Sequence, residues 1–229
     1  MTESSETTSF VVVAIDGGAA SGKSSTARLL AERKNFLHVD TGRHYRALAF
    51  MCLRHEVPAR AGERLEEAVG SLLLDSEMAG RESRIRINGE VPEEADLRSP
   101  EVNAAVSAYA AQPVLREAVK AYQRGEVERA RAAGFAGIVM EGRDIGTVIL
   151  PQADLKIFLV ADAAMRQERR HAEGGKDVIA DRDRSDSSRQ TAPLRPAEDA
   201  VVIDNSSLSL EAVVGRIEEL VELRLAGKG

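Results

Sequence analysis

The stretch Gly17-Gly18-Ala19-Ala20-Ser21-Gly22-Lys23-Ser24 narrows the possible folds more than any other part of this chain. It follows an apolar, β-branched run, Phe10 to Ile15, and leads into a helix-like segment from Ser25 to Lys34. Strand, glycine-rich loop, Gly-Lys-Ser and helix, in that order, make a phosphate loop. Glycines let the backbone curl so that successive N–H groups converge on an anion, and the helix adds its unpaired N–H groups and positive dipole end. Residues Gly17 to Ser24, with Ser25 beside them, are therefore the candidate contacts to a donor nucleotide, ATP. Lys23 is the catalytic candidate, able to reach the β- and γ-phosphates, and Ser24 can offer its hydroxyl to Mg²⁺. A plain strand-to-helix turn would need neither group. Only six of the 31 basic residues are lysine, so a lysine at this spot is not background.

The rest of the chain excludes several partners. A net charge of −6 disfavours binding to a phosphate backbone, and 3% aromatic content with no Trp leaves few base-stacking platforms. Nucleic acid is therefore not an expected partner. No apolar run approaches the length of a membrane span. The lone Cys52 rules out an internal disulfide, fits a reducing cytoplasm, and lies in an apolar helical run as buried filler. Residues 1–9 are polar and acidic and are expected to form a disordered tail before one domain over 10–229.

Short apolar runs alternate with amphipathic segments, which implies an α/β fold with a parallel sheet covered on both faces. The strands expected are 10–15, 36–39, 137–140, 155–160 and 200–203, and the last helix carries Leu210, Val213, Val214, Ile217, Leu220 and Val221 on one face. Residues 58–99 break the alternation and read as a small α+β insertion. Leu65, Ala68, Val69, Leu72 and Leu73 suggest a helix there, and Arg84 to Ile87 before Asn88-Gly89 signals a hairpin. Polar residues collect after the strands: Asp16, then Asp40-Thr41, then Glu141-Gly142-Arg143-Asp144, then Asp204-Asn205. Ligands bind at that edge of open α/β sheets. Asp40, Glu141 and Asp204 are equally what solvated strand ends require, whereas Arg143 beside Asp144 points to a ligand. A second polar run, Arg182 to Arg189, lies near Gly174-Gly175. Such a run suits a solvated helix, or a lid over about 173–195 that brings arginines to a transferring phosphoryl group.

Together these pieces resemble the bacterial cytidylate kinases, a family of nucleoside monophosphate kinases. The resemblance runs through Ile15-Asp16-Gly17, Gly22-Lys23-Ser24, Asp40-Thr41-Gly42 with Tyr45-Arg46, Arg98-Ser99-Pro100-Glu101-Val102 and Glu141 to Val148. It ends with Arg182-Asp183, Asp186 to Arg189, Ala192-Pro193-Leu194 and Asp204-Asn205-Ser206. It implies a five-stranded parallel sheet of phosphate-loop type, an inserted monophosphate-binding subdomain and a lid. It also implies transfer of the γ-phosphoryl of ATP, with Mg²⁺, to CMP or dCMP by a monomer. By the same resemblance Thr41, Arg46 and Arg143 hold the acceptor phosphate, and Arg182 and Arg189 act from the lid. Ser107, Arg116 and Asp144 meet cytosine, Asp186 the ribose, and the loop from Asp204 to Ser207 borders the donor adenine. Three features depart from the family pattern. Gly18 replaces a proline, Arg43 and His44 replace a small and an apolar residue, and the stretch between Arg170 and Arg182 is short. His44 is read as a bystander on the helix surface. Rival readings are a phosphate-loop kinase for UMP, AMP or an alcohol, in which Asp40 could serve as base, and a nucleotide-hydrolysing regulator. The chain carries no N-K-x-D-like motif to support the regulator.

Overall fold

The computed structural model describes residues 10–172, 184 and 192–227. The elements run β1 (Val11–Gly17), α1 (Lys23–Lys34), β2 (Phe36–Asp40), α2 (Thr41–Arg54), α3 (Glu63–Gly70), β3 (Leu74–Ala79), β4 (Glu82–Ile87) and α4 (Glu94–Leu97). They continue with α5 (Pro100–Ala110), α6 (Pro113–Ala132), β5 (Gly137–Gly142), a single π-helical turn (Ile145–Ile149), β6 (Leu155–Val160), α7 (Ala163–Ala172), β7 (Val201–Asp204) and α8 (Leu210–Ala226). Among the described residues no helix is long and apolar enough to cross a membrane.

β1 shows why the sheet is covered on both sides. Successive side chains of a strand point to opposite faces. Val11, Val13 and Ile15 pack with Ala27 and Leu30 of α1 and with Val213, Ile217 and Val221 of α8. Ala14 faces the other way, with Leu37, Val39, Ile138 and Met140, against Ala130 of α6 and Ile145 of the π turn. Burying one such aliphatic side chain is worth about 1.5–3 kcal/mol, so apolar runs without alternation settle only between two helical layers. A third apolar cluster joins α2, α3, α5 and α6 to β4, through Leu48, Cys52, Leu65, Ile85, Val102 and Leu115. Cys52 is buried filler, as expected, and burial pushes its thiol up to about 11.

The sheet has seven strands rather than five, in the order β3-β4-β2-β5-β1-β6-β7. The five expected strands are parallel throughout, from β2 to β7. The other two form an antiparallel hairpin from the 58–99 region, attached to β2 through the pair His38 and Glu82. The sequence expectation missed β3 because Leu74-Asp75-Ser76-Glu77-Met78-Ala79 is a half-exposed edge strand without strong alternation. It also misplaced the hairpin. Asn88 and Gly89 do adopt positive φ values of 51° and 86°, but the turn they make returns only as far as Glu90. The partner of β4 lies before it in the chain. Leu73, expected on the helix, is 75% exposed beyond the end of α3. The fully buried Glu126 of α6 accepts hydrogen bonds from Ser76 and Ser83 of the hairpin and from Arg129, which ties this edge to the helical layer.

His44 corrects another expectation. It is fully buried, because it stands four and eight residues before Leu48 and Cys52 on the inward stripe of α2. Its ring meets Tyr122 edge-on at 5.0 Å, and its Nδ1 lies 3.3 Å from Gln123 Nε2. Burial, then the charge of Arg43, pushes the imidazole down to about 3, so it is neutral at working pH.

Candidate active site

Parallel strands bring their carboxyl ends to one edge, and the register makes the meeting specific. Asp40 pairs with Glu141, Asp16 with Gly142, and Val160 with Asp204. The phosphate loop starts at that edge. Gly17 has φ +155°, and a Cβ there would sit 2.3 Å from the Leu159 carbonyl oxygen, so only glycine fits. Four loop carbonyls accept from side chains. Gly17 O accepts from Arg143, Gly18 O from Lys23 Nζ at 2.7 Å, Ala19 O from Arg166 at 3.2 Å, and Ser21 O from Asn205 Nδ2 at 2.7 Å. A trans peptide points its N–H opposite to its C=O. These anchors therefore also fix the amides of Gly18, Ala19, Ala20 and Gly22, which makes a preorganised anion cradle.

A cleft of about 220 Å³ opens beside the loop. Lys23 and Ser24 line one side of it, and Thr41, Arg46, Ser107, Arg143 and Asp144 line the rest. Five residues expected at an acceptor nucleotide thus converge from α2, α5 and the end of β5. Each is held. Thr41 Oγ1 donates to the Glu141 carbonyl oxygen at 2.7 Å, and Arg46 donates to Leu97 O at 3.0 Å and to Asn103 Oδ1 at 2.7 Å. Arg116 lies behind Asp144 rather than apart from it. The two form a buried ion pair, and Arg116 also donates to Ala110 O at 3.2 Å and sits over the Tyr45 ring. Asp16 fixes the other end of this arrangement by accepting from the N–H groups of Ile145 and Gly146, at 2.8 and 2.7 Å. Burial raises Asp16 to about 6 despite those two bonds.

The cleft also holds groups to which the sequence reading gave no role. Glu94 of α4 pairs with both Arg43 and Arg98, and all three line the wall near Arg46. The Glu94–Arg98 pair is a local i,i+4 spacing, but no local pattern signals the Arg43 contact, because α2 and the α4 region are about fifty residues apart. Ser24 Oγ donates to Glu141 Oε2 at 2.8 Å, and Glu141 Oε1 lies 3.0 Å from His38 Nε2. Burial and the neighbouring Glu141 raise Asp40 to about 6. Burial would raise Glu141 as well, but the His38 hydrogen bond and the charges around it hold it below the usual range.

On the other side of the loop a second cavity, about 350 Å³, is lined by Ala20, Gly22, Ser25, Thr26, Arg169, Asn205 and Leu208 among others. Ser25 is where a donor contact was expected. Asp204 is not among the lining residues: it is exposed and accepts from the Ser206 N–H and hydroxyl, while its neighbour Asn205 faces the loop. Arg182, Asp186 and Arg189, and the lid expected over 173–195, fall on residues outside those described, Arg184 and 192–195 apart. So does the expected tail.

Lys23 links this geometry to a measurement. Burial, then the charge of Arg143, push its amine from 10.5 down to about 7. Bound phosphates favour the charged amine and raise it again. At pH 8 the free amine is mostly neutral and the phosphate-bound one mostly charged, so ATP binding should take up as much as one proton. Calorimetry in buffers of different ionisation enthalpy reads this directly. An enthalpy independent of the buffer would show that Lys23 is already charged before binding.

The cytidylate kinase family model matches residues 13–223. The chain is 41% identical over 224 residues to a cytidylate kinase of Geobacillus sp. (strain WCH70), covering 93% of this chain and 97% of that one. It is 42% identical over 230 residues to the cytidylate kinase of Geobacillus kaustophilus, covering 94% and 98%. A solved structure of an uncharacterised protein from Eubacterium ventriosum superposes with a TM-score of 0.51 at 11% identity, covering 93% of this chain and 98% of that one, which shows the fold alone. With the family matched over nearly all of its length, the chain belongs to the cytidylate kinases.

Proposed function

We propose that this protein transfers the γ-phosphoryl group of ATP to CMP or dCMP, giving CDP or dCDP and ADP. The observation that carries the reading is one cleft in which the phosphate-loop Lys23 and Ser24 face Arg46, Arg143, Thr41 and the base-side pair of Ser107 and Asp144. Arg46 and Arg143 supply fixed, delocalised donors of the kind that suit an acceptor phosphate. Lys23 draws the β- and γ-oxygens of the donor into line with it. An acceptor phosphate is already a nucleophilic anion, so transfer needs positioning and charge stabilisation rather than a base.

The residues at the loop suit Mg²⁺. A hydroxyl and nearby carboxylates, Ser24, Glu141 and Asp40, make an all-oxygen donor set, and Mg²⁺ takes few protein ligands beside phosphates and water. Ser24 would hold it directly. Bound there with ATP, Mg²⁺ neutralises charge on the transferring group. The proposal extends to a monomer acting on small nucleotides in the cytoplasm, a reducing compartment that the single cysteine fits.

An ADP-release assay over CMP, dCMP, UMP, AMP and a panel of alcohols tests the reading. CMP and dCMP are expected to be good acceptors, UMP weak and AMP negligible. Preference for UMP, AMP or an alcohol would overturn the acceptor assignment, and the alcohol outcome would turn attention to Asp40 as base.

A further inference from the structure

His38 belongs to β2 and is buried, as is Glu141, the strand-end carboxylate on the neighbouring β5. The two are 103 positions apart in the chain, and parallel pairing sets them side by side, with His38 Nε2 3.0 Å from Glu141 Oε1. The second oxygen of the same carboxylate, Oε2, accepts from Ser24 Oγ at 2.8 Å. A chain of three side chains therefore runs from the interior of the sheet to the first turn of α1. An ionised carboxylate has no proton to give, so the His38 ring must donate through Nε2–H.

We propose that His38 is a positioning residue for phosphoryl transfer: it holds Glu141 so that Glu141 in turn orients the Ser24 hydroxyl of the phosphate loop. The inference rests on the kinase reading given above. Three points support it. Glu141 has a long side chain with three rotatable bonds, and a carboxylate at the end of one does not hold its direction without a partner. Asp40 stands beside it in register and repels it, so a fixed donor is needed to keep it in place. Packing alone does not require a histidine here, since Phe36, two residues earlier on the same face of β2, is buried in the apolar layer under α1. Outer partners of this kind orient the groups that hold a metal, and their loss typically costs about 10- to 100-fold in metal affinity or activity.

The test compares His38→Leu, which removes the donor, with His38→Gln, which keeps an N–H. Where His38→Leu does not fold, His38→Phe keeps the ring volume and again removes the donor. Two quantities are read: steady-state kcat and KM for CMP, and the affinity of the ATP-bound protein for Mn²⁺ by electron paramagnetic resonance. Loss of the donor should lower both kcat and Mn²⁺ affinity by about tenfold, with KM for CMP little changed, and His38→Gln should recover most of each. In a Ser24→Ala background the His38 substitution should have little further effect, because the two act through one carboxylate. The proposal is overturned if kcat and Mn²⁺ affinity stay at wild-type values, if His38→Gln is as impaired as His38→Leu, or if the His38 and Ser24 effects simply add. The Mn²⁺ titration needs no acceptor and no turnover. A His38 effect there, in a protein that failed to phosphorylate CMP, would therefore sustain this inference and overturn only the acceptor assignment.

Discussion

Lys23→Ala should lower kcat by about 10²-fold or more while leaving the fold intact, the cost typical of removing one preorganised donor from a transition state. The structure supplies the reason for preorganisation. Lys23 Nζ is held by Gly18 O at 2.7 Å and lies 3.4 Å from Ser21 Oγ, so the amine waits in place over the loop. Its desolvation means that the folded chain gains little from its charge before ligand arrives, so alanine should be tolerated structurally. Turnover by coupled ADP release, with circular dichroism to confirm the fold, checks both halves. Near-normal kcat in a folded Lys23→Ala protein would remove the phosphate loop from the chemistry.

Discrimination between bases should be larger still. Cytosine presents an N4 amino donor beside its N3 and O2 acceptors, whereas uracil presents an O4 acceptor beside an N3–H donor. Asp144 lines the cleft as an acceptor, and Arg116 stands behind it as a donor. Uracil would turn its O4 acceptor toward that carboxylate, where cytosine offers its N4 amino donor. A site built on such hydrogen bonds can reject the wrong partner by about 10⁴-fold, and this is the upper end expected for CMP over UMP in kcat/KM. Asp144→Asn should narrow that gap, because an amide can present a donor to O4. The ion pair adds a second consequence. Breaking a buried pair from one side commonly costs about 3–5 kcal/mol, because the other charge is left unpaired, so Asp144→Asn should also melt earlier. The CMP-to-UMP ratio within one preparation is independent of the fraction folded, and it is therefore the quantity to measure. An unchanged ratio would take Asp144 out of base reading, and a lower melting temperature alone would leave it a purely structural partner of Arg116.

Much of this site was legible in the sequence because its chemistry is written in local spacing. Glycine at 17 and 22, Lys23 and Ser24 can only be a phosphate loop when a strand precedes and a helix follows. Strand ends marked by Asp16, Asp40, Glu141 and Asp204 could be listed before any strand was paired. What the sequence left open was direction and partnership. A side chain at a strand end points to one face or the other according to a period of two, so a one-residue difference puts Asn205 on the loop and Asp204 in solvent. On α2 the helical spacing to Leu48 and Cys52 carried the burial of His44, but a polar residue type hides such a signal. Only the tertiary structure decided that β2 lies beside β5 and that the hairpin docks on β2. The same folding joined Arg116 to Asp144. Those pairings depend on the summed packing of whole layers, with Val13 and Ile15 on one side of β1 and Ala14 on the other. For that reason the contact from His38 through Glu141 to Ser24 has no signature in any local window of the chain.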